Sequence, residues 1–221
     1  MTRPPDSREV PLVLGRSALL LVDMQNYCCR REGGEYRGMD AETVAERFGS
    51  FFRTLETTTL PAIRRLQEVC RRAGIEVIFT VIESLTLDGR DRSLDYKISG
   101  LHVPRGSWDA RVVRELEPVG DEIVIPKTSS SVFVSTNIDF VLRNLGIRHL
   151  AICGVLTDQC VESAVRDACD LGYLVTLVTD GCATLSPERQ QASLRAVAGY
   201  CRQRSSTELV TEIEGLMAAA G

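Results

Sequence analysis

Residues 150–178, LAICGVLTDQCVESAVRDACDLGYLVTLV, decide the fold of this chain. An apolar run at 150–153 leads through a turn into apolar residues at helical spacing, and Gly172 precedes a second apolar run at 173–178. The order strand, helix, strand predicts a βαβ unit, in which the two strands are parallel. Because both runs are continuously apolar instead of alternating, we expect helices to cover both faces of the sheet.

The same alternation of apolar runs and helical patterns continues through the rest of the chain. Further strands are predicted at residues 18–22, 75–81 and 122–125, with a weaker one at 200–204. The repeated order predicts a single domain over residues 1–221 with a three-layer α/β fold. Its doubly wound, six-stranded parallel sheet would have helices on both faces, as in Rossmann-like folds.

Capping residues and helix breakers mark the predicted helix boundaries. A long helical region is expected at 43–73, with an interruption near Pro61 and with Gly74 after its end. Thr136 can begin a further helix, because its hydroxyl can accept a hydrogen bond from a first-turn N–H group. Ser186, followed by a proline, predicts the start of the last long helix.

The composition is that of an ordinary globular protein, with 44% hydrophobic and 25% charged residues. A net charge of −4 gives no basic footprint for nucleic acid. No apolar run approaches the length of a membrane span, and Arg3, Asp6 and Arg8 stand where a secretory signal needs an apolar core. Eight cysteines without CxxC spacing indicate reduced thiols. We therefore expect a cytoplasmic protein without nucleic-acid or membrane partners.

Asp23, Lys127 and Cys160 each follow a predicted strand, the cysteine after a short turn. Taken singly, they are ordinary, since aspartates cap helices, lysines are solvated and cysteines pack in cores. Together they predict an active site, because ligands bind outside the carboxyl ends of the strands in doubly wound sheets. A helix start and a nearby lysine would favour the Cys160 thiolate. Asp23 could take the thiol proton and later pass it to a leaving amine.

Three stretches resemble the isochorismatase-like cysteine hydrolases: LLVDMQN at residues 20–26, Pro126-Lys127, and GVLTDQCV at residues 154–161. The resemblance covers nearly the whole chain, in the family's order and spacing. It implies an Asp–Lys–Cys triad at Asp23, Lys127 and Cys160 and a six-stranded parallel sheet.

The resemblance also implies an oxyanion hole in the turn before the cysteine. The family has a non-proline cis peptide there, which falls at Val155–Leu156 in this chain. It would direct the backbone N–H groups of Leu156 and Cys160 towards the oxygen of an attacked carbonyl.

Departures from other branches of the family narrow the expected activity. Isochorismatases proper, which cleave a vinyl ether, lack the nucleophile that Cys160 provides here. Nicotinamidases bind a metal through several histidines, whereas this chain has only His102 and His149. We therefore expect neither a metal nor a cofactor.

The segments 88–93, 106–109, 124–127 and 144–150 resemble the ureidoacrylate amidohydrolase and related carbamoyl-cleaving branch. Members of this branch hydrolyse linear ureido or amide C–N bonds of small molecules. The resemblance also implies a homo-oligomer, either a dimer or a tetramer.

Several residues near the predicted strand ends are candidates for substrate binding, and each has an equally ordinary structural role. The asparagine and tyrosine can belong to a turn, the glutamine can hydrogen-bond within its turn, the glutamate can pair with an arginine, and the tryptophan can pack on its own loop. The candidates are Asn26, Tyr27, Glu83, Arg90, Arg92, Trp108 and Gln159.

The segment 84–109 is long, charged and without clear periodicity, as functional loops often are. Its four cations, which could bind a substrate carboxylate through paired hydrogen bonds, are Arg90, Arg92, Lys97 and Arg105. The alternative is that they form surface pairs with the aspartates of the same segment.

The sequence thus predicts a hydrolase that cleaves a linear ureido, carbamoyl or carboxamide bond through a thioester on Cys160. Two alternatives stay open. The first is a catalytically silent protein that binds a small molecule on the same fold. The second is a thiol redox sensor, in which Cys28 or Cys29 would approach Cys160.

Overall fold

The sheet of the computed structural model, which describes residues 7–220, contains six parallel strands in the order β3-β2-β1-β4-β5-β6. The strands are β1 (Ser17–Val22), β2 (Glu76–Ile82), β3 (Ile123–Lys127), β4 (His149–Val155), β5 (Leu174–Ala183) and β6 (Arg202–Arg204). The chain runs outward from β1 to β3 and then returns to build the other half from β4 to β6. The predicted fold class is confirmed, and the strand order reverses between β1 and β4.

Helices cover the sheet in two groups. They are α1 (Asn26–Cys29), α2 (Ala41–Thr54), α3 (Leu60–Arg72), α4 (Leu94–Ile98), α5 (Val132–Ser135), α6 (Ile138–Asn144), α7 (Glu162–Asp170), α8 (Pro187–Val197) and α9 (Ser206–Ala220). Helix α3 packs against α9, whereas α7 packs against α5 and α8. In the described part of the chain, no helix is long and apolar enough to cross a membrane.

The predicted interruption near Pro61 is confirmed as a π-helical turn, Leu55–Thr59, between α2 and α3. A second π-helical turn, Thr157–Val161, precedes α7 and carries Cys160. Both turns widen the helix locally, and turns of this kind are frequent at functional sites.

The C-terminal helix was not predicted. Ser186 does begin α8, since its Oγ accepts a hydrogen bond from the Arg189 N–H at 3.3 Å, but α8 is not the last long helix. Helix α9 follows β6 and begins with a capping box. The Ser205 N–H donates to Glu208 Oε2 at 2.7 Å, and the Glu208 N–H donates to Ser205 Oγ at 3.3 Å.

Strands β1 and β4 approach each other closely at their carboxyl ends. Gly154 pairs with Val22 in the ladder and has a φ of +129°, which favours glycine. A Cβ atom at position 154 would lie 2.0 Å from the Val22 carbonyl oxygen. Only glycine therefore lets the two strands meet where the order of the sheet reverses.

Candidate active site

The three predicted catalytic residues lie together at the carboxyl edge of the sheet. Asp23 directly follows β1, Lys127 ends β3, and Cys160 lies in the π-helical turn after β4. Asp23 has a φ of +55°, and its N–H donates to the Thr80 carbonyl oxygen of β2 at 3.0 Å. This conformation is uncommon for residues other than glycine, although aspartate adopts it more readily than most.

The lysine ammonium lies between the other two groups. Lys127 Nζ is 2.9 Å from Asp23 Oδ2 and 3.3 Å from Cys160 Sγ. The exposed fractions of the three residues are 1% for Asp23, 0% for Lys127 and 5% for Cys160. A charge pair so completely withdrawn from water needs well-placed partners, since desolvation otherwise exceeds the attraction.

Neighbouring polar groups hold the pair in place. Thr80 Oγ1 donates to Asp23 Oδ1 at 3.0 Å, and Lys127 Nζ donates to the Ser129 carbonyl oxygen at 2.8 Å. Asp23 Oδ2 is buried and, apart from its ion pair with Lys127, receives no directed hydrogen bond from residues 7–220. This oxygen can therefore accept a hydrogen bond from a neighbouring group.

Burial opposes ionisation of the Cys160 thiol. Burial raises its pKa to about 11, and the Lys127 ammonium, which lowers the pKa, does not offset burial and the nearby Asp23 carboxylate. The sequence-based expectation that Lys127 favours the thiolate is therefore correct in direction, but burial outweighs it in the folded protein. Burial removes the sulfur from water and so disfavours its charged form.

Lys127 carries a positive charge. Burial by itself lowers the pKa of an ammonium, but the neighbouring Asp23 carboxylate raises the pKa of Lys127 above its ordinary value. The lysine thus brings a fixed positive charge to the sulfur.

Tyr96 is a member of this cluster that the sequence reasoning missed. It lies on α4, is buried, and its hydroxyl is 3.3 Å from Lys127 Nζ and 3.9 Å from Cys160 Sγ. Burial raises the pKa of Tyr96 well above its usual value, so the hydroxyl keeps its proton. A signal was present, since Ser93 begins a helix three residues earlier and Tyr96 is an aromatic residue in a charged segment.

A cavity of about 760 Å³ opens onto the cysteine. Besides Asp23, Tyr96 and Cys160, its walls include Tyr27, Leu156 and Gln159. The Val155–Leu156 peptide bond beside the cysteine is cis, as the resemblance implied.

The isochorismatase domain family matches residues 17–208 of the chain. The chain belongs to the isochorismatase family. Ureidoacrylate amidohydrolase RutB of Rhizobium rhizogenes is 31% identical, over 90% of this chain and 84% of that protein. The protein of the same name from Agrobacterium fabrum is 31% identical and covers 90% of each chain.

Solved structures of the isochorismatase family have the same fold. A cysteine hydrolase from Pseudomonas syringae pv. phaseolicola superposes with a TM-score of 0.80 at 23% identity, over 98% of this chain and 100% of that one. N-carbamoylsarcosine amidase from Thermoplasma acidophilum superposes with a TM-score of 0.64 at 26% identity, over 86% and 96% of the two chains. The predicted family and fold are confirmed, and the chain is an isochorismatase-family hydrolase.

Two candidate substrate-binding residues of this isochorismatase-family chain, Tyr27 and Gln159, line the cavity, and the others do not. The Asn26 side chain donates to the Trp108 carbonyl oxygen at 2.9 Å, and Trp108 itself is 45% exposed outside the cavity. Glu83 Oε1 accepts a hydrogen bond from the Gly106 N–H at 2.6 Å.

The cations of the segment 84–109 also lie outside the cavity wall. Arg90 pairs with Asp88 at 3.0 Å on the surface. Arg92 donates to the carbonyl oxygens of Gly89 at 2.9 Å and Leu101 at 2.7 Å. Both arginines therefore have partners within their own segment.

The two histidines lie apart from the triad. His149 begins β4, at the opposite edge of the sheet from the cavity, and His102 does not line the cavity. Within residues 7–220, no group of three or more histidine, cysteine, aspartate or glutamate side chains is arranged to hold a metal ion.

Proposed function

We propose that this protein is an amidohydrolase that cleaves a linear ureido, carbamoyl or carboxamide C–N bond through a thioester on Cys160. The observation that carries the proposal is the position of Lys127 Nζ, within 3.3 Å of Cys160 Sγ and 2.9 Å of Asp23 Oδ2 at a cavity. Relatives named ureidoacrylate amidohydrolase and N-carbamoylsarcosine amidase support the class of bond.

The first half-reaction transfers the acyl group to sulfur. As Cys160 Sγ attacks the carbonyl carbon, the thiol proton moves to Asp23, and the carbonyl π electrons move to oxygen. The oxyanion then re-forms the carbonyl as the C–N bond breaks, and Asp23 gives the proton to the departing nitrogen, so that the amine or ammonia leaves neutral. Because the resting thiol has a pKa of about 11, deprotonation has to accompany attack.

The second half-reaction regenerates the thiol. Water attacks the thioester carbon while Asp23 takes one of its protons, and the C–S bond breaks to release the acid. The sulfur recovers its proton from Asp23. Lys127 stabilises the negative charge on sulfur in both halves, since its ammonium remains charged and close by.

The oxygen of the attacked carbonyl needs donors in the tetrahedral intermediate. We assign this role to the backbone N–H groups of Leu156 and Cys160, both of which belong to residues that line the cavity. Fixed donors of this kind contribute about 3–4 kcal/mol each, as judged by single deletions.

A thiol-sensing role has one observation in its favour, because Cys28 lines the same cavity and its Sγ lies 3.8 Å from Cys29 Sγ. The hydrogen bond with Cys29, followed by burial, raises the pKa of Cys28 well above its ordinary value. A protonated thiol reacts poorly with peroxide. Hydrolysis is therefore the better proposal.

The test combines turnover with trapping of the intermediate. A panel of small linear ureas and amides is assayed for ammonia release, and intact-protein mass spectrometry is used to find an acyl adduct on Cys160. Cys160→Ala and Asp23→Asn should each lose at least about a thousandfold in kcat, as removal of a triad member does elsewhere. Cys169→Ala is the matched control because Cys169 lies outside the cavity.

The proposal fails if Cys160→Ala retains near wild-type kcat. Activity should also survive exhaustive EDTA, since the proposed steps use only protein groups. Loss of activity on chelation, restored by added zinc or manganese, would contradict the mechanism.

A further inference from the structure

The walls of the catalytic cavity carry an excess of negative charge. The side chains that are charged at neutral pH and line it are Asp23, Glu35, Asp95, Asp158, Glu162 and Arg166. Five of these six are acidic, although the chain as a whole has 30 acidic and 26 basic residues. The cavity is therefore more acidic than the composition requires.

Two of the carboxylates are neutralised within the wall or just behind it. Asp158 pairs with Arg189 at 2.5 Å, and Glu162 pairs with Arg166 at 2.7 Å. Among residues 7–220, the second pair also uses the single basic side chain of the wall. Arg166 is therefore already engaged, and it is not a free anchor for an anionic substrate.

Asp23 is neutralised by Lys127, which leaves Glu35 and Asp95. Within residues 7–220, neither carboxylate has a lysine, arginine or histidine nitrogen within 4.0 Å. The neighbouring cations are otherwise engaged, since Arg30 pairs with Glu115 and Arg37 pairs with Asp109. Lys97, on α4, is exposed and lies outside the cavity wall.

Each carboxylate lies beside a tyrosine of the cavity wall, and one of these tyrosines reaches the reactive sulfur. Asp95 is in the first turn of α4 and precedes Tyr96, whose hydroxyl is 3.9 Å from Cys160 Sγ. Glu35 is on the short helical turn Gly34–Tyr36, next to Tyr27. Burial, followed by the charge of Glu35, raises the pKa of the Tyr27 hydroxyl well above its usual value.

We propose that the cavity selects a substrate whose non-reacting end is cationic, such as an amine, amidine or guanidinium attached to the ureido or carboxamide group. Glu35 and Asp95 attract this end, and they repel a carboxylate in the same place. Cationic substrates should therefore be preferred over neutral ones and neutral ones over anionic ones. This inference rests on the proposed function, and it replaces the expectation of a carboxylate bound by the cations of segment 84–109.

The first experiment measures the charge preference without requiring turnover. Cys160 is modified by two methanethiosulfonates of similar size, one with a trimethylammonium group and one with a sulfonate, and the modified peptide is quantified by mass spectrometry. Each rate is divided by the rate of the same reagent with 2-mercaptoethanol. The cationic reagent should be favoured by about tenfold at low salt, because Glu35 and Asp95 are exposed and each contributes a weak charge interaction. The preference should shrink as the ionic strength rises.

Paired variants assign the preference to the two carboxylates. Glu35→Gln/Asp95→Asn should remove most of the preference. The matched control, Glu76→Gln/Asp121→Asn, also removes two negative charges, but at the opposite edge of the sheet, beside the amino ends of β2 and β3. This control should retain the preference for the cationic reagent. If both double variants behave alike, or if the wild type favours the sulfonate, the inference is overturned.

The second experiment uses three ureas of similar length: (2-aminoethyl)urea, N-propylurea and N-carbamoylglycine. The values of kcat/KM should fall in that order. The Glu35→Gln/Asp95→Asn variant should show smaller differences in kcat/KM among the three ureas. Hydrolysis that depends on Cys160 but is fastest with N-carbamoylglycine would overturn the charge inference and leave the proposed function intact. A Cys160 charge preference without hydrolysis of any amide would overturn the proposed function and leave the charge inference standing.

Discussion

The carboxyl edge of the sheet and the segment 84–109 border the same cavity, but they use their charged residues in opposite ways. At the edge, Asp23 and Lys127 are withdrawn from water and held by strand pairing. In the segment, charged side chains serve the local backbone, as when Asp91 accepts from the N–H groups of Leu85 at 2.7 Å and Thr86 at 3.1 Å. A charged residue at a strand end is therefore better evidence of a catalytic role than a charged residue in a long loop.

Tyr96 is where the two regions meet. Hydrogen bonds within the segment 84–109 hold α4 in place. The Tyr96 hydroxyl therefore reaches both Lys127 and Cys160. The segment thus contributes a neutral donor to the triad and contributes its carboxylate, Asp95, to the wall.

The largest effect is expected when the sheet edge loses its buried cation. Lys127→Met should destabilise the fold by about 3–5 kcal/mol, because Asp23 is then left as an unpaired buried charge. It should also raise the pKa of Cys160 further above about 11, since the lysine charge lowers it in the wild type. Chemical denaturation and iodoacetamide alkylation across pH measure the two effects.

The pH dependence of this contribution has a defined sign. Because the pKa of Lys127 is raised in the folded protein, its stabilisation is complete below the unfolded lysine pKa of about 10.4. It is lost only as the pH rises through the higher folded value. Lys97→Met, on the exposed surface of α4, is the control and should change neither measurement. Identical alkylation curves for Lys127→Met and wild type would remove the electrostatic role assigned to Lys127.

A smaller effect is expected at the junction of the two regions. Tyr96→Phe keeps the ring but removes the hydroxyl near Lys127 Nζ and Cys160 Sγ. Loss of one hydrogen bond of about 1 kcal/mol corresponds to roughly a fivefold fall in kcat/KM. Steady-state kinetics on the best urea measure it, with the half-exposed Tyr200→Phe as the control. A variant with unchanged kcat/KM would show that Tyr96 only fills space.

The smallest effects are expected within the segment 84–109, where substitution of two nearby arginines should affect stability and kcat/KM differently. Arg92→Ala removes the donor to Gly89 and Leu101, so we expect lower thermal stability and about a threefold loss in kcat/KM. Arg90→Ala removes only a surface pair with Asp88, and should match the wild type in both measurements. If Arg90→Ala instead lowers kcat/KM for N-carbamoylglycine alone, this arginine binds a substrate carboxylate, as the sequence suggested.

The parts of the site that lie at strand ends, or just after them, were the parts that the sequence could predict. Asp23 and Lys127 follow apolar runs, and parallel strands bring their carboxyl ends to one edge, so their proximity follows from pattern alone. The fold class followed from the same runs. The strand at 173–178 was placed correctly but extends as far as Ala183.

What the sequence did not reveal depends on distances between segments that are remote along the chain. Tyr96 reaches Cys160 from the short helix α4, and no periodicity in the sequence indicates this contact. The raised pKa of the Cys160 thiol depends on its depth of burial, which is set by all the segments that surround it. Helix α9 is the exception, because the capping box formed by Ser205 and Glu208 is a sequence signal for the start of this helix.

The close approach of β1 and β4 at Gly154 also limits which substitutions the enzyme tolerates at this position. A side chain at this position would collide with the Val22 carbonyl, one residue before Asp23 and on the strand next to the one that leads to Cys160. In a saturation mutagenesis screen, position 154 should therefore be as intolerant as the nucleophile, although it carries no reactive group. A scan for inactive variants alone would count it among the reacting residues, and only measurement of folding alongside activity would separate the two.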